Sequence, residues 1–479
     1  MNPVVGERRV FWRIFWVAAT IRSLFFLISV NGAGTDGAPR ALVAYEWSRD
    51  PVWVTAGHWL PLQIWVSGAL LWLWNDVWLV PRLVSLGFGI ATIWPLMRLT
   101  REFFSREVTV ATGVLFALFG LHIYQCSSAG GEAMYFFFVF WALFHQARWW
   151  TTLQSRSLVL AGLFWIPATL TRHEAWWVAP LCVLLALVRA LTDSRRAKLV
   201  LPVMVFGVLA AIGPVFWMSV CAAVKGDALL SFHRAAAGAA YHARSTLYRL
   251  VFWPVGMTLA LGPVVMALAL WGLARSVRQR ERLLLAGFML AFVLPFWAIQ
   301  LVGRGGVNIR HTLFVGMLLL PFSAVALEPH WVKRGRSLTR FFLAIGAAWL
   351  LLVFALGETK WGELSQKFAS ISPRAKDRPH VMDAAGWVAG HAQTTDRVVV
   401  DHFNDEESSL QFHVRLPPEQ VTICWGRPAD LRAFLTPLPR WLIAAARGPL
   451  GQALAASDLP VIPRYSNEVY TVYEVVPSS

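Results

Sequence analysis

Residues 201–223 run for 23 positions without one charged side chain, and residues 283–302 run for another 20. About 20 apolar residues in an α-helix match the hydrocarbon thickness of a bilayer. Lipid offers no partner to a bare backbone N–H or C=O, so runs of this length and composition read as membrane-crossing helices. Only 15% of the chain is charged and 57% is hydrophobic, which leaves little room for an ordinary soluble surface. The 26 tryptophans suit interfacial belts, where an indole has one apolar and one wet neighbour. The chain therefore reads as an α-helical polytopic membrane protein.

A net charge of +16 would suit a nucleic-acid partner, but its distribution excludes that class. Arginines cluster at 8, 9 and 13, at 98, 101 and 106, at 148 and 156, at 189–196, at 275–282 and at 334–340, in every second loop between apolar runs. This is the positive-inside pattern, with anionic membrane lipids as partners. It gives about eleven spans, near 10–30, 77–98, 107–125, 133–150, 157–171, 175–191, 199–223, 251–273, 283–302, 311–327 and 340–357. The N-terminus is then cytoplasmic, in a bacterial inner (plasma) membrane. The first apolar segment lacks a convincing small-residue cleavage site and reads as a retained anchor. Residues 60–74 are short and flanked by Trp59 and Trp74, so they are expected to lie in the outer interface within a loop at 31–76. Cys126, Cys182, Cys221 and Cys424 form no disulfide framework and no paired metal motif.

The division expected is a transmembrane part at 1–357 and an extracytoplasmic part at 358–479. In the latter, helical patterns at 381–391, 428–435 and 450–457 alternate with strand-like runs at 397–401, 421–425, 440–445 and 469–475, which is the signature of a small α/β domain. It carries no GxGxxG and no P-loop, so it reads as a structural cap or a lid that recognises an acceptor.

The outer loops hold the candidate chemistry. Asp36 follows the first span and is either a solvated turn residue or a carboxylate whose partial burial raises its pKa and strengthens it as a base. Glu132 is the only acid between Glu107 and Glu174; it is either a first-turn carboxylate favoured by the helix dipole or a functional charge at the hydrocarbon boundary. Thr171-Arg172-His173-Glu174 makes the next outer turn, with Arg172 and Glu174 spaced for an ion pair. Arg304 and Arg310 sit on the side that positive-inside sorting depletes, where they either grip a phosphate bidentately or snorkel to headgroups. Arg40, His58, His173 and His311 complete the candidate binding set.

Together, Asp36, the run Trp59-Leu60-Pro61-Leu62, Glu132, Thr171-Arg172-His173-Glu174 and Arg310-His311 resemble the GT-C superfamily of membrane glycosyltransferases, in particular bacterial protein O-mannosyltransferases and aminoarabinose transferases. The resemblance runs from the first span through His311. It implies a polyprenyl-phosphate-linked sugar donor, an active site at the outer face and an extracytoplasmic glycan, lipid or protein acceptor. It also implies that Asp36 is the catalytic base in an inverting transfer. Glu132 would position the acceptor, assist the base or, with Asp36, hold a divalent cation such as Mg or Mn. Many members carry an acidic pair in this loop, whereas here Asp36 is followed by Gly37. The alternative is a lipid or sugar flippase or transporter, which would place ionisable residues in mid-span and show internal repeats.

Overall fold

The computed structural model describes residues 3–29, 36–55, 57, 59–234, 245–279, 281–303, 307–357, 378–426 and 428–476. The apolar runs form sixteen helices of eight residues or more before residue 358, six of them with a proline inside, and a small sheet domain follows residue 378, among the described residues. The first helix, α1 (Pro3–Ile28), leads through the turn at Asp36 into α2 (Gly37–Arg49) and α3 (Leu62–Leu71). At a rise of about 1.5 Å per residue, the ten residues of α3 cannot span a bilayer, and α3 packs along α2.

Then come α4 (Val80–Ala91), α5 (Ile93–Phe103), α6 (Arg106–Ala117), α7 (Gly120–Ser127), α8 (Glu132–Thr152), α9 (Ser155–Thr169), α10 (Glu174–Thr192) and α11 (Arg196–Lys225). Continuing are α12 (Thr246–Leu261), α13 (Pro263–Ser276), α14 (Leu283–Leu301), a 3₁₀ turn (Ile309–Thr312), α15 (Leu313–Val325) and α16 (Glu328–Gly357).

Length and composition support six spans, or up to eight if each bent pair counts as one, where the sequence pattern predicts eleven. The six are 9–28, 80–103, 174–192, 196–225, 283–301 and 334–355. Two expected spans are broken instead: α6 and α7 meet at 53°, and α12 and α13 at 113°. The second break falls at Gly262, whose φ of +87° favours glycine. Three others fall short for separate reasons. The α8 helix is diluted by Tyr, Trp, His and Gln, α9 has only 15 residues, and the helix through 309–325 is short. Every residue of α15 is buried, so its all-round apolar surface faces other helices rather than lipid. By contrast α11 exposes Leu201, Met204, Val208 and Val215 on its outer face.

A buried cation near the middle of α1 has a structural explanation. Arg22 donates to Phe116 O at 3.0 Å and Ala117 O at 3.4 Å, and its Nη2 lies 3.1 Å from His122 Nδ1. It thereby binds the last carbonyls of α6 where that helix breaks into α7, so it is explained without a transport pathway.

After residue 378 come α17 (Pro379–His391), β1 (Val398–Asp401), α18 (Glu407–Val414), β2 (Val421–Cys424), α19 (Leu431–Phe434), β3 (Trp441–Ala445), α20 (Pro449–Ala455), β4 (Val461–Ser466) and β5 (Tyr470–Val475). The sheet order is β2-β1-β3-β5-β4, with the first three strands parallel and the last two antiparallel. Sequence patterning missed α18 and β4. The latter contains Pro463, which an edge strand tolerates because one N–H row is unpaired.

This domain sits on the helix that begins beside Asp36. Phe412 of α18 is fully buried in one apolar cluster with Ala38, Ala41, Tyr45, Ile64 and Ala129. Tyr45 donates to the Glu419 carboxylate. Arg415 lies 4.0 Å over the Trp78 ring, and Arg82 lies at the same distance.

Candidate active site

Three carboxylates and three guanidinium groups meet at one end of the bundle. Asp36 is the residue before α2, but its side chain caps nothing there. Its Oδ2 instead receives Arg310 Nη2 at 2.6 Å. The other arm of Arg310, Nη1, lies 3.4 Å from Glu132 Oε1. The same Glu132 oxygen takes Arg172 Nη1 at 2.5 Å, and Arg172 Nη2 reaches Glu174 Oε1 at 2.6 Å. The result is an alternating chain, Asp36–Arg310–Glu132–Arg172–Glu174, drawn from four segments of sequence. Charges this far from water persist because each is paired; the Glu132 side chain is only 5% exposed and that of Arg172 10%.

Arg40, on the first full turn of α2, is buried and lies 4.9 Å over the Trp59 ring. Its Nη1 has no hydrogen-bond partner among the described residues. Burial lowers its guanidinium to about 10, against the attraction of Asp36 and Glu132, which still leaves it protonated at neutral pH.

The loop that carries Glu132 is pinned by its own carbonyls. Arg82 Nε donates to Ser127 O at 2.9 Å, Gln63 Nε2 to Ala129 O at 3.1 Å, and Ser85 Oγ to Gly130 O at 2.8 Å. All three donors are buried. At Gly130 an added Cβ would collide with the Glu132 carboxylate, which would have to shift to admit it. At Gly37 an added Cβ would lie 3.2 Å from Ala129 N, so a second acid there would crowd α2 off this loop.

The reading of Asp36 as a carboxylate with a raised pKa is corrected here. Burial does push it up, but Arg310 and Arg40 outweigh that and hold it well below the usual carboxylate range. Burial likewise disfavours the charge on Arg172, and Glu174 and Glu132 more than restore it.

The remaining candidates divide. His311 Nδ1 accepts the Asn308 N–H at 3.3 Å and its ring packs on Phe296 at 4.5 Å, a local cap beside the cluster. His173 precedes α10 with its ring against both Trp176 and Phe232. His58 and Arg304 lie outside the described residues. Sequence reasoning missed Gln63 and Tyr135. The Tyr135 hydroxyl is buried without a partner among the described residues and feels Glu174 and Arg172. Its position three residues after Glu132, on the same helix face, was the available signal.

The donor set does not fit a divalent cation. The Asp36 and Glu132 oxygens are already occupied by guanidinium groups, and a metal would enter beside Arg40, Arg172 and Arg310. Among the described residues no three His, Cys, Asp or Glu side chains are placed so that they could share a metal ion. The arrangement is instead suited to receive an anion on arginine and to release a carboxylate.

No protein-family profile and no curated protein matches the sequence. Solved structures do, and they show the fold: the chain has a GT-C-like fold. The likeness to one of them runs end to end. ArnT, the aminoarabinose transferase, from Cupriavidus metallidurans bound to undecaprenyl phosphate aligns over 99% of this chain and 98% of its own, at 15% identity and a TM-score of 0.61. Its apo state gives 0.59 at 15% identity, covering 98% of this chain and 97% of its own. The oligosaccharyltransferase of Archaeoglobus fulgidus, tethered with an acceptor peptide, aligns over 92% of this chain and 69% of its own at 13% identity and 0.50.

Proposed function

We propose that this protein is an integral membrane glycosyltransferase that moves a sugar from a polyprenyl-phosphate donor to an extracytoplasmic acceptor, with inversion. The observation that carries the reading is Arg310 bridging Asp36 and Glu132 at the N-terminal end of α2. The undecaprenyl phosphate named for ArnT supports the donor class. The basic loops support an inner-membrane protein with its N-terminus cytoplasmic and the sheet domain outside.

In this mechanism the donor phosphate competes for Arg310 and Arg40, which bind it through charge-assisted forks. Asp36 then loses the partner that depresses its pKa and becomes a better proton acceptor. It takes the proton of the acceptor hydroxyl as that oxygen attacks the anomeric carbon, while the sugar–phosphate bond breaks and the lipid phosphate leaves with the electron pair. The arginines stabilise the charge growing on that phosphate. Glu132 orients the acceptor and stays anchored by Arg172. The mechanism uses no metal.

The test is incubation of purified protein with a panel of polyprenyl-phosphate sugars, reading release of lipid phosphate. Release from at least one donor, abolished in Asp36→Asn, is the expected result. Donor translocation across a vesicle membrane without cleavage would replace the transferase by a flippase.

A further inference from the structure

Four arginines line a cavity at the end of the bundle away from the carboxylate cluster. It is an open cleft among α1, α5, α6 and α8 of about 620 Å³, within the few-hundred to about 1,000 Å³ that small-ligand sites occupy. On α8, Arg148 lies sixteen residues beyond Glu132, or about 24 Å along the helix, so this cavity and the carboxylate cluster lie at opposite ends of that helix.

Arg98, Arg101, Arg106 and Arg148 line it together with one acid, Glu102, giving the lining an excess of three positive charges. The inner wall is apolar: Met97 and Phe144 are almost fully buried, and Phe11, Trp12 and Trp94 pack edge to face on one another. Arg98 lies 5.9 Å from the Trp94 ring, and Arg101 Nη1 donates to Phe104 O at 3.3 Å, which braces both side chains at the cavity.

We propose that this cavity binds the phosphate headgroup of an anionic glycerolipid from the cytoplasmic leaflet. Guanidinium forks match phosphodiester oxygens. A basic pocket between membrane helices on this side is where such headgroups are held. A free phosphate would satisfy the arginines alike, but it would leave the aromatic wall wet; the glycerol and upper acyl chains of a lipid cover that wall and gain its apolar area. The proposal is independent of the transferase reading, because it concerns the opposite end of α8 and is read by lipid occupancy rather than by sugar transfer.

Native mass spectrometry of the full-length protein, titrated with phosphatidylglycerol or phosphatidylcholine, tests it. Phosphatidylglycerol should bind at least about tenfold more tightly, and Arg98→Gln/Arg101→Gln/Arg148→Gln should remove most of that preference. Glu102→Gln, which deletes the lone acid of the lining, should tighten phosphatidylglycerol binding severalfold, a gain that misfolding cannot produce. Inorganic phosphate at millimolar concentration should not displace the lipid. Equal affinity for the two lipids, or an unchanged affinity in both variants, overturns the proposal. Displacement by inorganic phosphate overturns the lipid assignment and makes the cavity a soluble-anion site.

Discussion

Arg310 joins Asp36 to Glu132: one guanidinium contacts the first carboxylate at 2.6 Å and the second at 3.4 Å. The base proposed here is therefore held in check by the same group that would receive the donor phosphate. Donor binding and activation of the base become one event, which explains how a carboxylate with a depressed pKa can serve in proton removal.

Asp36→Asn keeps the shape of the side chain but cannot take the acceptor proton. Single-turnover transfer with saturating donor should fall by about 10²–10⁴-fold, with donor binding retained. Glu132→Gln should be impaired less. A wild-type rate in Asp36→Asn with a dead Glu132→Gln would exchange their roles.

Arg310→Lys retains a charge but loses the fork. Loss of one charged hydrogen bond to the donor phosphate corresponds to about 1.5–3 kcal/mol, or one to two decades in Kd. Equilibrium binding of a polyprenyl phosphate measures it directly. An unchanged Kd would restrict Arg310 to its two carboxylates.

Gly130→Ala should lower turnover, because the new methyl collides with the Glu132 carboxylate and forces it off Arg172 and Arg310. Gly131→Ala is the control. Its Cβ would meet nothing closer than 3.6 Å and its φ is −90°, so activity and thermal stability should both survive. Equal loss in both variants would indicate a general sensitivity of the loop.

Folding favours ionised Asp36, because the folded-state pKa lies below the unfolded one. That stabilisation is fully present above the ordinary value of about 4. It is lost as pH falls from there toward the lower folded-state value. About a third of the side chain is exposed, so solvent screens part of the effect. The melting temperature of Asp36→Asn should therefore lie below wild type at neutral pH, and the two should converge in acid. A gap that stays constant down to pH 3 would rule out an ionised, arginine-paired Asp36.

Phe412→Ala should loosen the sheet domain from α2, since Phe412 is fully buried in the cluster that contains Ala38 and Ala41. Truncations of this kind cost about 3–5 kcal/mol. Thermal unfolding should report the loss, and limited proteolysis should cut the domain free sooner. Resistance equal to wild type would mean that the Tyr45–Glu419 contact suffices.

The sequence alone determined the class. Uncharged runs of twenty residues, alternating basic loops and a polar tail of short alternating elements dictate membrane helices and a small α/β domain, because each signal is local and repeated. It also singled out Asp36, Glu132, Arg172, Glu174 and Arg310, since acids and arginines beside apolar runs are few. What only the tertiary structure decided was which charges meet. Whether a helix bends at Gly262, whether α15 is enclosed, and whether Arg310 turns to Asp36 rather than to lipid depend on contacts between distant segments. The pKa of Asp36 illustrates the limit: burial alone argues for an upward shift, and it is reversed by Arg310, brought in from a distant segment, together with Arg40 on the adjoining turn of α2. Pairwise Coulomb attraction depends on distance, and distance across the bundle is not written in the order of residues.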